Sequence, residues 1–103
     1  MIGDADIRYV VLLTHTQPAR IDEELVRSHV AYLQQLEEKG LLELCGPFPE
    51  NAGGMLVLRV ANAEEAHSIA QADPFISSGA QSYMLRRWEL SHQGNNHMGM
   101  GRK

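Results

Sequence analysis

The side chains best suited to chemistry in this sequence are His29 and Asp73. An imidazole titrates near neutral pH, so His29 can serve as a general base or acid. A carboxylate next to an imidazole holds the ring in one tautomer and stabilises its charged form, and Asp73 is suited to that role. The two residues therefore suggest proton transfer, provided that the fold brings them together.

Both residues also have an ordinary structural explanation. His29 lies one turn after Leu25 and one turn before Leu33 on a predicted helix, which suits a core or edge histidine satisfied by a backbone carbonyl. Asp73 precedes Pro74, and Asp-Pro pairs commonly end a helix, with the carboxylate capping the turn that follows. Spacing alone favours these structural roles.

Three further residues are suited to lining a binding pocket. Gly46 allows an unusual backbone or a close approach by a ligand, and Pro47 stiffens the exit from a predicted strand, although both also suit a plain strand-ending turn. Phe75 can form an apolar wall for a flat ligand or can simply pack in the core. Cys45 has no base nearby in the sequence, and isolated cysteines usually pack in the core, so we do not predict a nucleophile there.

Sites for phosphates, metals and redox chemistry often leave recognisable motifs, and the sequence shows none of them. It contains no phosphate-binding glycine motif, no Cys-x-x-Cys, no His-Glu-x-x-His and no nucleophile elbow. The spacings of His15, His29 and His67 match no recognised metal site. We therefore predict no metal and no cofactor.

The elements that position these residues follow from the periodicity of the apolar side chains. Apolar positions at steps of three and four predict helices, and runs of β-branched, aromatic and leucine residues predict strands. The predicted strands are 7–14, 41–45, 55–60 and 81–90, the predicted helices are 22–39 and 63–72, and turns are predicted over 48–54 and 74–79. This β-α-β-β-α-β order predicts an α+β, ferredoxin-like fold with a four-stranded antiparallel sheet.

The predicted sheet has one face that two helices cannot cover. Its first and third strands are apolar on both faces and are placed at the centre of the sheet. A bare apolar face would form a large exposed patch, and a second copy of the chain, packed sheet against sheet, is the simplest cover. We expect a homodimer through the sheet faces. We also divide the chain into one domain, 1–90, and a flexible tail rich in Gly and Asn, 91–103.

Several of these residues belong to a pattern that resembles the YciI-like family of small proteins. The pattern comprises Arg27-Ser-His29-x-x-Tyr32-Leu33-x-x-Leu36, Gly40-Leu41-Leu42, Gly46-Pro47, Glu64-Glu65-Ala66 and Ala72-Asp73-Pro74-Phe75-x-x-Ser78-Gly79. The likeness covers roughly residues 7 to 90. It implies a dimeric α/β-barrel arrangement of ferredoxin-like subunits, and an active site formed by His29 and Asp73.

Composition and charge limit the expected partners. The 103 residues are 44% hydrophobic and 21% charged, which suits one folded domain. The net charge of −4, without a basic stripe, disfavours nucleic acid as a partner. The longest apolar run, Tyr9 to Leu13, is too short to span a membrane, and no charged-then-apolar leader opens the sequence. A single cysteine excludes an internal disulfide and favours the cytoplasm.

The leading hypothesis is a small cofactor-independent enzyme in which His29, assisted by Asp73, transfers a proton in lyase or isomerase chemistry. The resemblance suggests a small organic acid or ring-derived substrate, in contact with Gly46, Pro47 and Phe75. The competing hypothesis is a non-catalytic dimeric module that binds a ligand or partner in the same cavity. The two hypotheses share one fold, because a fold does not decide function.

Overall fold

In a computed structural model, which describes residues 4–50 and 52–102, a four-stranded antiparallel sheet carries helices on one face. The strands are β1 (Ile7–His15), β2 (Leu42–Pro47), β3 (Gly54–Leu58) and β4 (Gln81–Glu89), in the spatial order β2-β3-β1-β4. The sheet and its central first and third strands confirm the predicted ferredoxin-like fold. Residues 1–3, 51 and 103, which belong to the predicted domain, the 48–54 turn and the tail, lie outside the described residues.

Two long helices and several short turns complete the architecture. They are α1 (Glu23–Glu38), α2 (Ala63–Ala72), the single turns α3 (Pro74–Ser77) and α4 (Asn96–Gly99), and 3-10 turns at Asp4–Asp6, Pro18–Arg20 and Gln93–Asn95. The core lies between the helices and one sheet face, where Val11 of β1 packs in one cluster with Leu36 of α1 and Ala66 of α2. Within the described residues, no helix is long and apolar enough to cross a bilayer.

The long helices begin and end where other groups satisfy their free backbone ends. The Leu25 amide donates to Asp22 Oδ1 at 2.8 Å, and Gly40, with φ of 74°, ends α1 in the left-handed conformation. The Glu65 amide donates to Asn62 Oδ1 at 2.8 Å. Each such cap contributes about 1 kcal/mol. The observed α2 has the predicted bounds, 63–72.

The segment after α2 differs from the plain turn that we predicted. It forms the helical turn α3, because Asp73 caps its first amides and Pro74 occupies a first position that needs no N–H donor. The extended backbone of Asp73, with φ of −63° and ψ of 128°, separates α3 from α2, as expected for a residue that precedes proline. One residue therefore ends one helix and begins the next.

Strand β2 also differs from the prediction, both in length and in regularity. It continues through Gly46 and Pro47, which pair with Met55 and Gly54 of β3, so these residues lie in the sheet and not in a turn after it. The register between β2 and β3 shifts between Leu42 and Leu44, as at a β-bulge. The bulge reverses which face each later residue of β2 occupies.

The second face of the sheet presents exposed apolar side chains. Leu44, Met84 and Trp88 are 65%, 52% and 46% exposed, respectively. Arg8, opposite Trp88 in the register, is buried at the end of this face, and its guanidinium donates to Glu43 and to the Ala5 carbonyl. The hydrogen bond from Arg8 lowers the pKa of the Glu43 carboxyl.

After β4 the chain forms tight turns that contact the N-terminal segment through Asp6. His92 Nε2 lies 2.7 Å from Asp6 Oδ1. Asn96, His97 and Met98 have φ of 52°, 50° and 63°, a left-handed conformation that is uncommon outside glycine. The predicted flexibility of the tail stays a prediction.

Candidate active site

His29 lies on the face of α1 that is turned towards α3 and the sheet. Its Nδ1 atom is 2.8 Å from Asp73 Oδ1. The side chain is largely buried and lines a cavity between α1 and the sheet. When Nδ1–H donates to the carboxylate, Nε2 is the ring nitrogen left with a lone pair for a ligand. The structure thus brings the two predicted residues into direct contact.

Asp73 is 2% exposed and holds two groups with one oxygen. Its Oδ1 atom accepts the Phe75 amide at 2.9 Å and contacts His29 Nδ1 at 2.8 Å. The capping role and the histidine contact, which the sequence presented as alternatives, are therefore combined in the same atom. Because the cap fixes the carboxylate against the backbone of α3, the imidazole contacts a group with little freedom to rotate.

Phe75 fixes the plane of the imidazole ring. The two ring centroids are 3.9 Å apart, and the planes differ by 12°, so the rings are stacked. Phe75 is buried and lines the same cavity as His29. The phenyl ring covers one face of the imidazole while Asp73 holds one of its edges, which leaves a rigidly oriented base at the cavity wall.

The cavity has a volume of about 410 Å³ and an apolar lining. Its walls come from α1, from the inner side of β1, and from the paired ends of β2 and β3; among the residues are Val26, Val30, Leu13, Leu56, Gly46 and Pro47. Gln81, at the start of β4, and Cys45 also reach it. A volume of this size suits a small organic molecule.

The fold and this set of residues agree with a known protein family. A model of the YCII-related domain matches residues 7–89.

This chain belongs to the YCII-related family.

An uncharacterized protein of Bacillus subtilis, YjpA, is 30% identical over 82 residues, which is 80% of this chain and 96% of YjpA. Among solved structures, the chain is similar to the 5-chloro-2-hydroxyhydroquinone dehydrochlorinase TftG of Burkholderia phenoliruptrix, in a complex with 2,5-dihydroxybenzoquinone. The TM-score is 0.60 at 19% identity, with 84% of this chain and 97% of that chain covered. The family match confirms the predicted resemblance, and the structural likeness confirms the fold.

The two predicted pocket residues of β2 lie at the cavity. Gly46 does not have a left-handed backbone, and a Cβ atom built on it would meet no atom within 4 Å. Of the two reasons we gave for this glycine, the unusual backbone is therefore absent, and the close approach by a ligand stays a prediction. Gly46 and Pro47 instead form part of the regular β2–β3 pairing that closes one cavity wall.

At the cavity wall, the positions that only glycine can occupy are Gly53 and Gly54, the next glycine pair along the chain. Gly53 has φ of 105°, and a Cβ atom there would lie 2.0 Å from the Leu13 carbonyl oxygen. A Cβ atom on Gly54 would lie 2.6 Å from the Gly46 carbonyl oxygen. Both glycines let β3 approach its neighbouring strands closely at the cavity wall. The Gly-Gly pair in the sequence was the signal, and we interpreted it only as a turn.

Tyr32 is a polar neighbour of the site that the prediction did not include. It follows His29 by three residues on α1, and its hydroxyl donates to the Ile69 carbonyl at 2.7 Å. Burial, and to a lesser extent the charge of Asp73, raise the pKa of the Tyr32 hydroxyl. The hydroxyl therefore stays protonated at neutral pH and ties α1 to α2 beside the His29–Asp73 contact.

Cys45 is a cavity residue that the prediction did not include. The bulge in β2 turns Cys45 towards the cavity, where it is exposed. Partial burial, with a smaller contribution from the charge of Glu37, raises the pKa of its thiol. At neutral pH the group is therefore mainly the neutral thiol, which is a poor nucleophile.

Among residues 4–50 and 52–102, no group of three or more His, Cys, Asp and Glu side chains is placed to hold a metal ion. Within the site itself, Asp73 already binds an amide and the imidazole.

Proposed function

We propose that this chain is an enzyme of proton transfer, with lyase or isomerase chemistry on a small organic acid or ring-derived substrate. His29 is the general base or acid, and Asp73 orients it. The observation that carries the proposal is the 2.8 Å contact between His29 Nδ1 and Asp73 Oδ1 at the wall of a largely apolar cavity. The proposed step needs a base and an acid, and no cofactor takes part in it.

The chemistry assigned to His29 follows from its surroundings. Nε2 accepts a proton from an O–H or an activated C–H group of the substrate, and Asp73 stabilises the imidazolium that forms. The largely apolar lining lowers the local dielectric constant, which strengthens the interaction between the two charges. The imidazolium then returns the proton to a different substrate atom, which isomerises the substrate, or to a departing group, which completes an elimination.

A hydroxylated ring suits this cavity. Phe75 and the stacked His29 ring offer a flat surface, and Gly46 and Pro47 lie on another wall. The related fold of TftG, a dehydrochlorinase in a complex with 2,5-dihydroxybenzoquinone, supports ring chemistry in this cavity. Loss of HCl from a chlorinated ring triol needs only proton transfers: a hydroxyl proton moves to the chlorine-bearing carbon, and removal of a second hydroxyl proton forms a C=O bond as chloride leaves.

Two assays test the proposal. The first incubates the protein with 5-chloro-2-hydroxyhydroquinone and measures chloride release. The second follows hydrogen–deuterium exchange by NMR in a panel of small hydroxy acids and lactones, and it detects proton abstraction even when no product accumulates. Activity that depends on His29 in either assay supports the proposal. Saturable binding of panel compounds without exchange or chloride release would favour the non-catalytic binding module instead.

We further propose that the chain forms a homodimer through the second face of its sheet. Leu44, Met84 and Trp88 place exposed apolar area on that face, and a copy packed sheet to sheet would cover it. Light scattering should give twice the mass of the 11.5 kDa chain. Met84→Lys would add a charge to the interface and should yield monomers, whereas Glu64→Lys on α2 should not.

We infer a small-molecule ligand rather than nucleic acid as the partner, and the cytoplasm as the location. The net charge of −4 disfavours binding to phosphate backbones. The single cysteine, which is exposed at the cavity, suits a reducing compartment. A gel-shift series at low salt with random duplex DNA checks the first inference, since binding there would contradict it.

A further inference from the structure

One polar side chain of the cavity wall has no role in the proposed proton transfer. Gln81 is the first residue of β4, opposite His15 of β1, and it lines the cavity with His29 and Phe75. It is 5% exposed. Its side chain lies on the same side of β4 as Tyr83 and Leu85, the side that the helices cover, because residues two apart in a strand share a face.

The carboxamide oxygen of Gln81 is a hydrogen-bond acceptor that no described residue pairs with. Within the described residues, its Oε1 atom is buried and has no hydrogen-bond donor. A buried acceptor without a partner destabilises the folded state, and nearly all such atoms in native proteins are paired. An apolar residue of the same length would avoid this cost, so the presence of glutamine calls for an explanation.

The backbone amides around the start of β4 already donate hydrogen bonds to other acceptors. The amides of Thr16 and Gln17 both donate to the Ala80 carbonyl, at 2.9 and 3.0 Å. The Ala80 amide donates to Ser78 Oγ at 3.3 Å. Rearrangement of these groups to reach Gln81 Oε1 would break bonds that hold the start of β4. The donor for Gln81 is therefore better supplied from the cavity.

We propose that Gln81 is the specificity-determining residue of the cavity and accepts a hydrogen bond from a hydroxyl group of the ligand. The ligand class is a small flat molecule with a hydroxyl group, held between the apolar walls. In an apolar surrounding, a ligand without the hydroxyl leaves the buried oxygen unpaired and binds less tightly. The inference rests on the proposed function only in taking this cavity as the ligand site.

A matched pair of probes tests the inference. Hydroquinone and p-xylene have nearly the same shape, and methyl groups in the second replace the hydroxyls of the first. NMR titration under anaerobic conditions gives the Kd of each probe for the wild type, for Gln81→Met and for Gln71→Met, a control at an exposed position of α2. We expect Gln81→Met to bind hydroquinone about tenfold more weakly, the effect of one hydrogen bond. Binding of p-xylene should not weaken, and Gln71→Met should match the wild type.

Thermal denaturation without ligand gives a second test, in which Gln81→Met should be more stable than the wild type although it binds hydroquinone more weakly. Because Gln81→Met removes an unpaired buried oxygen and keeps the length of the side chain, its Tm should rise by about 4 °C or more. A glutamine with a structural role would instead lower the Tm when replaced. A gain in stability together with a loss of hydroxyl recognition is the result that the inference requires.

Three results would overturn the inference: equal hydroquinone affinity in wild type and Gln81→Met, a lower Tm in Gln81→Met, or no hydroquinone binding to the wild type. None of these decides the proposed function, which depends on the His29-dependent exchange and chloride-release assays. Conversely, an inactive protein whose hydroquinone affinity falls in Gln81→Met retains the ligand assignment and loses the enzymatic one.

Discussion

The described part of the chain contains two histidine–aspartate contacts of nearly equal length in very different surroundings. His29 Nδ1 lies 2.8 Å from Asp73 Oδ1, and His92 Nε2 lies 2.7 Å from Asp6 Oδ1. The side chains of the first pair are 13% and 3% exposed, whereas those of the second are 48% and 21% exposed. Contact distance alone therefore does not distinguish a candidate active site from a surface contact.

The two histidine–aspartate pairs differ most in whether a ring nitrogen of the histidine remains available to a ligand. The His29 ring uses Nδ1 for Asp73, which leaves Nε2 at an apolar cavity. The His92 ring contacts Asp6 through Nε2 and accepts the Gly94 amide with Nδ1 at 3.1 Å, so both of its nitrogens are engaged. A general base therefore needs a free ring nitrogen and a cavity beside it, in addition to a carboxylate that orients the ring.

Replacement of each histidine in turn should give the largest difference between the two pairs, and that difference is in catalytic activity. We expect His29→Gln to lower proton exchange or chloride release by about 10²–10⁴-fold, the contribution of a general acid–base group. His92→Gln should keep wild-type activity, because its ring takes no part in the cavity. Equal losses in the two variants would contradict the assignment of His29, and a folded His29→Gln, checked by circular dichroism, is required for the comparison.

The two aspartates should differ in their effect on stability. Asp73→Ala removes the cap of α3 and leaves the His29 Nδ1–H group without its partner, so we expect a loss of about 2 kcal/mol in the free energy of unfolding. Asp6→Ala affects an exposed contact, and its denaturation midpoint should match the wild type within error. Urea denaturation followed by circular dichroism measures both. A midpoint for Asp73→Ala equal to that of the wild type would mean that neither of its hydrogen bonds stabilises the fold.

Much of the fold was predictable because local signals and the hydrophobic pattern agree. The double-faced apolar pattern of β1 and β3 indicated their central places, and the Asp73-Pro74 pair indicated where α2 ends. The contact of His29 with Asp73 was suggested by the family resemblance and not by spacing, since it depends on how α1 packs against α3. That packing results from the whole core and has no short sequence signal.

The side chains that were missed depend on register. Simple alternation from the buried Leu42 would place Leu44 inside and Cys45 outside. The bulge reverses both, so Leu44 is exposed on the second face and Cys45 reaches the cavity. The burial of Gln81 likewise follows from where β4 begins against β1. A one-residue change of register alters the chemistry of a surface without changing the predicted element.

The alkylation rate of Cys45, the single cysteine, reports whether a ligand occupies the cavity beside the His29–Asp73 pair. Because burial and Glu37 raise the pKa of the Cys45 thiol, its alkylation should be slow at pH 7 and faster with rising pH. Hydroquinone in the cavity should slow the reaction several-fold. The control is Met100→Cys in a Cys45→Ser background, which places the thiol in the exposed tail near the second pair. Mass spectrometry measures both rates, and equal effects of hydroquinone on them would show that the probe does not occupy the cavity.

Low pH should break the contact between His92 and Asp6. Hydrogen bonds from His92 and Asn95 lower the pKa of the Asp6 carboxyl below its ordinary value of 3.8, with a smaller contribution from the charge of Arg8. The contact is therefore fully present above about that pH and is lost as the pH falls through the lowered pKa. The side-chain amide signals of Asn95, which hydrogen-bonds to the Asp6 carboxyl, should then shift in an NMR titration below pH 3.8 in the wild type, whereas Asp6→Asn should show no such step. Since the second hydrogen bond of the carboxylate comes from Asn95, which is itself in the tail, we expect the change to remain within the tail and the Asp4–Asp6 turn. A simultaneous change in the amides of α3 would mean that the two pairs are coupled through the sheet, and that the difference between them is smaller than their surroundings indicate.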